Sequence, residues 1–283
     1  MAIDLEFLHQ LDRLKLILKK KVHADYQGDR ESRTFGSGLT FQDYREYVPG
    51  DDFRHIDWKV FARTDKLFIR RYEEERNLTV HILVDNSGSM GYGKTIPKFD
   101  YAAMLGLGFA YMALRNNEKF NLSTFSTKAD PLRASRGSSQ IVAMADVLSR
   151  MKIVGQSDLR STMESYRRMV RSRSLIVFIS DFLYPIEEVR EVLQRYRKSE
   201  LFLVQVLDPA ERDLAVSGDV LLEDVESRQH LRTYISERMK KVYQDRLETH
   251  IFAIKDACEH VGASFVSVTT DTPIFETFYH ILA

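Results

Sequence analysis

The architecture of this chain follows from one stretch, Val80-His81-Ile82-Leu83-Val84-Asp85-Asn86-Ser87-Gly88-Ser89-Met90. A short, mostly apolar run leads directly into a small polar loop that contains a glycine, which is the pattern of a buried strand followed by a turn. Open α/β sheets bind their ligands at the carboxyl ends of their strands. We therefore expect a binding site in the loop that follows Val84.

This loop presents one carboxylate and two hydroxyls at alternate positions, Asp85, Ser87 and Ser89. Mg²⁺ and Mn²⁺ prefer oxygen ligands, and Mg²⁺ prefers near-octahedral geometry. Gly88 allows the backbone to turn tightly between the serines. The three residues are therefore candidate metal ligands. For the loop alone, a turn or a helix cap is an equal alternative, because Asp, Asn, Ser and Gly serve those roles as well.

From Leu78 onward, apolar strand patterns alternate with helical patterns. The predicted strands are Val80–Val84, Phe120–Phe125, Leu175–Ile179, Leu201–Leu207 and Ala263–Val268, and the predicted helices are Phe99–Arg115, Gln140–Met151, Leu159–Val170, Ile186–Arg197 and about Tyr234–His260. This alternation predicts an α/β fold, a doubly wound, mainly parallel sheet with helices on both faces. A hairpin insertion is expected at about 214–232, where Ser217-Gly218-Asp219 forms the turn.

Residues 1–77 are predicted to form an N-terminal extension to the main domain, 78–283. An amphipathic helix is expected from about Asp4 to Lys21, and a polar loop from Asp25 to Gly38. Asp51 or Asp52 is placed to cap a short helix that runs through Trp58 to about Arg63, and a strand is predicted at Leu67–Tyr72.

The block from Tyr44 to Trp58 within this extension is rich in aromatic and charged residues around a Pro49-Gly50 turn. It is either a partner surface or a fixed network of Arg–Asp pairs and aromatic anchors that locks the extension onto the main domain. We favour the fixed network, because alternating charges are usually solvated or structural.

The charge balance, the cysteine content and the apolar stretches of the sequence restrict the kinds of protein that this chain can be. The 283 residues include 41 basic and 41 acidic side chains, so the net charge of zero gives no overall electrostatic signal for nucleic acid or an anionic membrane. The single cysteine, Cys258, excludes an intramolecular disulfide, fits a reducing compartment and is expected to be buried. We see no secretory signal, and no stretch approaches the about 18 uninterrupted apolar residues of a membrane span. The sequence predicts a soluble cytoplasmic protein.

Two further polar residues, Asp181 and Ser157, lie at predicted strand ends or loops that should meet the loop after Val84. The run Leu175-Ile176-Val177-Phe178-Ile179-Ser180-Asp181 is typical of a buried strand that ends in a carboxylate, and Ser157 lies in a loop that leads into a helix. Because the carboxyl ends of parallel strands meet at one edge of a sheet, these side chains are expected to converge with Asp85 on a single cation. Asp158 is expected to cap the helix that begins near Leu159 rather than to bind metal.

These residues resemble known arrangements. Asp85-x-Ser87-x-Ser89, with a later hydroxyl and a later strand-end Asp, resembles the metal-ion-dependent adhesion site of von Willebrand factor A domains. Nearly the whole chain is also similar to a bacterial family, number fifty-eight in the domain-of-unknown-function series. The similarity is carried by Asp43-Tyr44-Arg45-x-Tyr47-x-Pro49-Gly50-Asp51-Asp52-x-Arg54-x-Ile56-Asp57-Trp58, Ala62-Arg63, Arg70-x-Tyr72-Glu73-x-Glu75, Phe99-Asp100-Tyr101-Ala102-Ala103 and Ser180-Asp181-Phe182.

The resemblance implies that Asp85, Ser87, Ser89 and Asp181 hold Mg²⁺ or Mn²⁺. Ser157 stands where the family usually has threonine, which keeps the hydroxyl but loses a stiff β-branched side chain. One metal position would stay open for an Asp or Glu of a partner. Members of the family are commonly encoded beside MoxR-type AAA+ ATPases, which implies a non-enzymatic adaptor that couples such an ATPase to a client protein in a chaperone-like or complex-maturation role.

A second hypothesis comes from Gly88-Ser89-Met90-Gly91-Tyr92-Gly93-Lys94-Thr95, which matches the phosphate-binding pattern G-x-x-x-x-G-K-[ST]. The protein would then be a Mg²⁺-dependent nucleotide-binding or phosphoryl-hydrolysing enzyme, with Asp181 helping to hold the ion. In such loops a helix begins at the Gly-Lys-Thr segment, whereas here Pro97 follows and the helical pattern starts near Lys98. We interpret the match as accidental. The client, the process served and the oligomeric state do not follow from the sequence.

Overall fold

The computed structural model describes Leu8, Leu11 and residues 40–73, 79–132, 139–153, 155, 157–170, 174–214, 216–223 and 230–282. The chain forms two compact units, one of Met1–Lys20 with Leu78–Ala283 and the other of Lys21–Asn77. Residues 1–20 group with the larger unit, whose core includes Leu8 and Leu11, and the division into an extension of residues 1–77 and a main domain of residues 78–283 stays a prediction. The rest of the predicted first helix and the predicted loop from Asp25 to Gly38 lie outside the described residues.

The larger unit is built on a six-stranded sheet. Its strands are β3 (Thr79–Asp85), β4 (Lys119–Phe125), β5 (Ala129–Pro131), β6 (Ser174–Ser180), β7 (Glu200–Leu207) and β10 (Ser264–Thr269). They lie in the order β10-β7-β6-β3-β4-β5, and all neighbours pair in parallel except β4 with β5. The short antiparallel strand β5 was not predicted.

Helices cover both faces of this sheet. Their bounds are α2 (Lys98–Arg115), α3 (Ser139–Ser149), α4 (Leu159–Tyr166), α5 (Ile186–Tyr196), α6 (Pro209–Asp213), α7 (Glu237–Val261) and α8 (Ile274–Leu282). One hydrophobic core packs beneath α2, α3 and α8, and a second beneath α4, α5 and α7. Along β3, Ile82 and Val84 face the first core and Leu83 faces the second. The predicted doubly wound, mainly parallel sheet with helices on both faces is confirmed.

The direction in which successive strands are added reverses at one point of the sheet. From β3 the chain passes through α2 to β4 on one side, and β6 lies on the other side of β3. The connections therefore diverge between the carboxyl ends of β3 and β6, where doubly wound folds bind ligands. Asp85 and Ser180 are the last residues of these two strands.

The buried helix α2 packs closely against its neighbours at two glycines. A Cβ on Gly106 would lie 2.9 Å from Val84 Cγ2, and a Cβ on Gly108 would lie 2.3 Å from Phe278 Cζ on α8. The C-terminal helix α8, which was not predicted, thus packs directly against α2.

We expect Gly108→Ala to lower the free energy of unfolding by about 2 kcal/mol, because overpacking of about 3 kcal/mol is offset by about 1 kcal/mol of helix propensity. Thermal unfolding should show a decrease of about 4–8 °C in Tm. The control is a double-mutant cycle with Phe278→Leu. If the two substitutions are additive, the clash with the Phe278 ring is not the cause.

The larger unit also carries an antiparallel hairpin near the expected position, but the expectation that Ser217-Gly218-Asp219 forms its turn was wrong, because Gly218 and Asp219 pair with Ile235 and Tyr234 within the ladder. Its strands are β8 (Gly218–Glu223) and β9 (His230–Ile235), and α7 begins two residues later. Cys258 on α7 is buried as predicted. Among the residues that the structure describes, no helix is long and apolar enough to cross a membrane.

The smaller unit pairs β1 (Thr40–Glu46) with β2 (Phe68–Glu73) in antiparallel fashion. A short 3-10 helix (Phe53–His55) and α1 (Trp58–Thr64) lie between these strands. The strand β2 was predicted within one residue at each end, whereas no strand was predicted at β1. Its sequence, Thr40-Phe41-Gln42-Asp43-Tyr44-Arg45-Glu46, is mostly polar and lacks the two-residue alternation of a typical strand, so it resembles a polar loop until the partner strand is known.

The caps in this unit differ in part from the expectation. Asp52 caps the 3-10 helix, and Asp57 caps α1 by accepting from the N–H of Lys59 at 3.0 Å. The expectation that Asp52 caps a helix is therefore confirmed, but that helix does not run through Trp58, because a second helix with its own cap begins there. Asp51 instead binds the side chain of Arg45 at 2.8 Å.

The Arg–Asp pairs expected in the Tyr44–Trp58 block are present. Besides the Arg45–Asp51 pair, Arg54 lies 2.9 Å from Asp52. Trp58 is 60% exposed and Phe53 is 67% exposed, so these two aromatic side chains are not buried anchors within the unit.

Candidate metal centre

Asp85 lies at the carboxyl end of the central strand β3 and is completely buried. Its Oδ1 accepts a hydrogen bond from the backbone N–H of Ser87 at 2.9 Å. Its Oδ2 accepts from the hydroxyls of Ser180 and Tyr184, each at 2.6 Å. Donors from the loop after β3 and from the end of β6 therefore hold the carboxylate in one orientation.

The two loop serines carry their hydroxyls side by side. The Oγ atoms of Ser87 and Ser89 are 3.2 Å apart. Gly88–Gly91 forms one turn of 3-10 helix, which brings these alternate side chains together. The backbone N–H of Gly88 donates to the carbonyl oxygen of Gly155 at 3.0 Å, so the loop after β3 is tied to the loop before α4.

Ser157 is connected to Asp85 through the hydroxyl of Tyr184. Its Oγ lies 2.5 Å from the hydroxyl oxygen of Tyr184, and that hydroxyl donates to Asp85. The neighbouring Asp158 caps α4 by accepting from the N–H of Ser161 at 2.9 Å. The expectation that Asp158 is a helix cap is confirmed, and Ser157 is joined to Asp85 through the Tyr184 oxygen.

Asp181 is paired with a positively charged side chain, that of Lys98. Its Oδ2 accepts from Nζ of Lys98 at 2.9 Å, and the same ammonium donates to Oε1 of Glu211 at 2.8 Å. Lys98 is the first residue of α2 and is completely buried. The amide of Gln205 donates to the Asp181 backbone carbonyl at 2.8 Å and holds this segment in place.

The charges of the site influence one another. Burial, and then the nearby charge of Asp181, raise the pKa of Asp85 above its ordinary value, although the donors of Ser180, Tyr184 and Ser87 oppose this. Burial acts to lower the pKa of Lys98, but the attraction of Asp181 and Glu211 outweighs it and the pKa is raised. The carboxyl groups of Asp181 and Glu211 thus share one ammonium, while the nearby Asp85 is stabilised by neutral donors. When all are ionised, the cluster has an excess of negative charge that favours a further cation.

The backbone after Asp181 bends sharply to bring Tyr184 over Asp85. Phe182 is buried and adopts φ = 50°, in the left-handed region that non-glycine residues rarely enter. Its N–H donates to Ser180 Oγ at 3.1 Å, and its carbonyl lies 2.8 Å from Nε2 of His250 on α7. These bonds stabilise a bend that local sequence preference does not favour.

The donor set fits a hard divalent cation. Mg²⁺ binds oxygen at about 2.1 Å in an octahedron, so neighbouring ligand oxygens lie about 3.0 Å apart. The 3.2 Å between the Ser87 and Ser89 oxygens matches one octahedral edge. No group of three or more His, Cys, Asp or Glu side chains in the described part of the chain could hold a metal. A cation here would therefore depend on serine hydroxyls as well as carboxylates, and the assignment of Asp85, Ser87, Ser89, Ser157 and Asp181 as ligands stays a prediction.

The segment of the phosphate-loop match has a different geometry from a phosphate-binding loop. Across residues 88–115, all of which are described, the α-helix begins at Lys98 rather than at Lys94. Lys94 is exposed, and the lysine that contacts Asp181 is Lys98. The helix N-terminus that would hold phosphate is thus displaced from the Gly-Lys-Thr segment.

Sequence reasoning missed four residues of the site, namely Lys98, Ser180, Tyr184 and Glu211. Lys98 carried a usable signal, because a charged residue that opens an otherwise apolar helix must find a partner when it is buried. Ser180 directly precedes the strand-end Asp181 and could have been included with it. For Tyr184 and Glu211 the sequence offered no comparable signal.

Comparison with known proteins gives a family match. A family model described as protein of unknown function DUF58 matches residues 43–251, which include all the candidate metal ligands. An uncharacterized protein of Mycobacterium bovis is 27% identical over 266 residues, covering 92% of this chain and 84% of the relative.

Solved structures show weaker likeness. The SpRpn10 VWA domain has 14% sequence identity and a TM-score of 0.43, covering 71% of this chain and 93% of that domain. The manganese-loaded TRAP protein of Plasmodium vivax has 12% identity and a TM-score of 0.38, covering 73% of this chain and 72% of that chain. These values assign no role to any residue of this chain.

Proposed function

This chain belongs to the DUF58 family, and we propose that it is a non-enzymatic, metal-dependent protein-binding adaptor of the cytoplasm. Its site at the carboxyl ends of β3 and β6 would hold Mg²⁺ or Mn²⁺ through Asp85, Ser87 and Ser89, with Asp181 and Ser157 completing or supporting the set. A bound cation would supply the positive charge that attracts an Asp or Glu side chain of a partner.

One observation carries this proposal: the paired hydroxyls of Ser87 and Ser89, 3.2 Å apart, lie next to buried Asp85 at the topological switch point. Asp85 is oriented by its three donors, so its position does not depend on the ion. The neutral hydroxyls leave much of an ion's charge uncompensated, which favours one more anionic ligand. That is the arrangement a carboxylate-binding adaptor needs.

The proposed partners are a MoxR-type AAA+ ATPase and a client protein that supplies the carboxylate. The ATPase is supported by the family resemblance, and the acidic client by the chemistry of the site. Together they imply a chaperone-like or complex-maturation role. A Mg²⁺-dependent nucleotide-binding or phosphoryl-hydrolysing enzyme that uses Gly88–Thr95 is the alternative, and the position of α2 speaks against it.

The test measures binding of the purified full chain to the MoxR-type ATPase of the same organism, by biolayer interferometry in Mg²⁺ and in EDTA. We expect at least about tenfold weaker binding in EDTA, equivalent to 1.4 kcal/mol. Ser87→Ala with Ser89→Ala should remove the difference between the two buffers, because it removes the paired oxygens. Lys94→Ala should leave binding unchanged.

Two results would contradict this function. Binding of equal strength in Mg²⁺ and EDTA would mean that the site does not mediate the interaction. ATP hydrolysis by the chain alone, lost in Lys94→Ala, would favour the phosphate-loop enzyme instead.

A further inference from the structure

The hydroxyl of Tyr184 is the atom through which two of the predicted ligands meet. It lies 2.6 Å from Oδ2 of Asp85 and 2.5 Å from Oγ of Ser157. These ligands come from different loops, one after β3 and one before α4. The phenol oxygen therefore stands between two groups that would both have to face the same cation.

The direction of these two hydrogen bonds follows from the fact that each hydroxyl has only one hydrogen to donate. The phenol has a single hydrogen, and it donates this hydrogen to Oδ2 of Asp85 because an ionised carboxylate can only accept. Ser157 must then donate its own hydrogen to Tyr184. A carboxylate has about four acceptor positions, and Asp85 already accepts from Ser87, Ser180 and Tyr184. Tyr184 thus takes up acceptor capacity of Asp85 and turns the Ser157 hydroxyl toward itself.

The segment that carries Tyr184 is held in a strained form. Phe182 has φ = 50°, and it is kept there by Ser180 and by His250 on α7. Backbone strain of this kind persists when surrounding contacts over-determine it, and it is concentrated at sites that switch between states. The hydrogen bond from Tyr184 to Asp85 also anchors this segment, so its loss would remove one of the contacts that keep residues 181–185 in the strained arrangement.

We propose that Tyr184 is the gate of the cation site, meaning that its hydroxyl competes with the cation for Asp85 and Ser157 and must leave when both bind it. This inference rests on the proposed metal-dependent function. In the arrangement seen here the site is closed by its own side chain. A cation, alone or together with a partner carboxylate, binds the open arrangement better and shifts the population toward it.

The test compares Tyr184→Phe with the wild-type full chain by titration with Mn²⁺, following free Mn²⁺ by electron paramagnetic resonance. Phenylalanine keeps the ring and removes the competing hydroxyl. We expect about tenfold tighter Mn²⁺ binding, because one charge-assisted hydrogen bond no longer has to be broken. The control is Tyr166→Phe, which removes another buried hydroxyl that bonds His81 at 2.9 Å and Ser123 rather than a predicted ligand, and should leave Mn²⁺ affinity unchanged.

A second measurement follows the loop itself. Saturating Mg²⁺ should speed hydrogen exchange at the backbone amides of residues 182–184 in the wild-type chain, because the loop opens. Slower exchange there, or weaker or unchanged Mn²⁺ binding by Tyr184→Phe, would overturn the gate, since the phenol would then support the site rather than close it.

The outcomes separate this inference from the function on which it rests. Mn²⁺ binding by wild type that Tyr184→Phe leaves unchanged overturns the gate alone. Binding by Tyr184→Phe but not by wild type supports it strongly. Absence of Mn²⁺ binding in both proteins overturns the metal-dependent function and the gate together.

Discussion

Replacing Lys98 with methionine is expected to lower the free energy of unfolding by about 3–5 kcal/mol, the cost of removing one partner from a buried ion pair. Nζ of Lys98 lies 2.9 Å from Asp181 and 2.8 Å from Glu211, and the lysine is completely buried. Methionine fills a similar volume but leaves both carboxylates without their counter-charge. The buried carboxylate of Asp85 adds to the repulsion.

Urea unfolding in EDTA measures this loss without a contribution from bound metal. The matched control is Lys94→Met, which removes an exposed lysine four residues earlier and should change stability by less than about 0.5 kcal/mol. Adding Glu211→Gln to Lys98→Met should recover part of the loss, because one uncompensated charge disappears. A loss below about 1 kcal/mol for Lys98→Met, which is typical of an exposed pair, would contradict the description of Lys98 as a buried counter-ion.

The second large effect concerns Asp85→Asn, which we expect to weaken Mn²⁺ binding about 100-fold or more while the metal-free protein stays folded. Removing even a supporting group around a metal typically weakens metal binding by roughly 10–100-fold. Burial and the charge of Asp181 disfavour the ionised carboxyl group, so its replacement by a neutral amide relieves a cost in the metal-free state. That relief offsets the loss of hydrogen bonds from Ser180 and Tyr184.

Two measurements on Asp85→Asn test this separation of binding from stability. Mn²⁺ titration gives the affinity, and thermal unfolding in EDTA should give a Tm within about 3 °C of wild type, or about 1 kcal/mol. Asp158→Asn is the control, since asparagine caps α4 as well as aspartate does and the ion should bind normally. Wild-type affinity in Asp85→Asn would show that the cation, if one binds, lies elsewhere.

Both predictions address the same physical question, which is how the site tolerates its negative charge. Lys98 partly neutralises Asp181, while hydroxyl and amide donors stabilise Asp85. The negative charges of the two carboxylates are thus stabilised in different ways, one by an ammonium and the other by neutral donors. A cation bound at Ser87 and Ser89 would interact with Asp181, whose charge Lys98 partly neutralises, and with Asp85, whose donors are neutral. We therefore expect Asp85 to contribute more than Asp181 to the affinity of the site for the cation.

Much of the fold could be predicted because its signals are local. The strands β3, β4, β6, β7 and β10 are short apolar runs, and each was placed within one residue at both ends. Such strands must be covered on both faces, so their alternation with helices already implies the doubly wound arrangement. The strand β1 and the helix α8 escaped prediction because each depends on a partner, β2 for the strand and the Gly108 surface of α2 for the helix.

The division between sequence and tertiary structure is clearest at the site. The sequence by itself determined that Asp85, Ser87 and Ser89 come together at the end of one buried strand and that Asp181 comes at the end of another, because both facts depend only on residues adjacent in the chain. Only the tertiary structure decided that Lys98 binds Asp181, 83 positions away, and that Tyr184 binds Asp85, 99 positions away. Those contacts depend on the order of the strands and on the left-handed bend at Phe182, and neither is encoded in a local pattern.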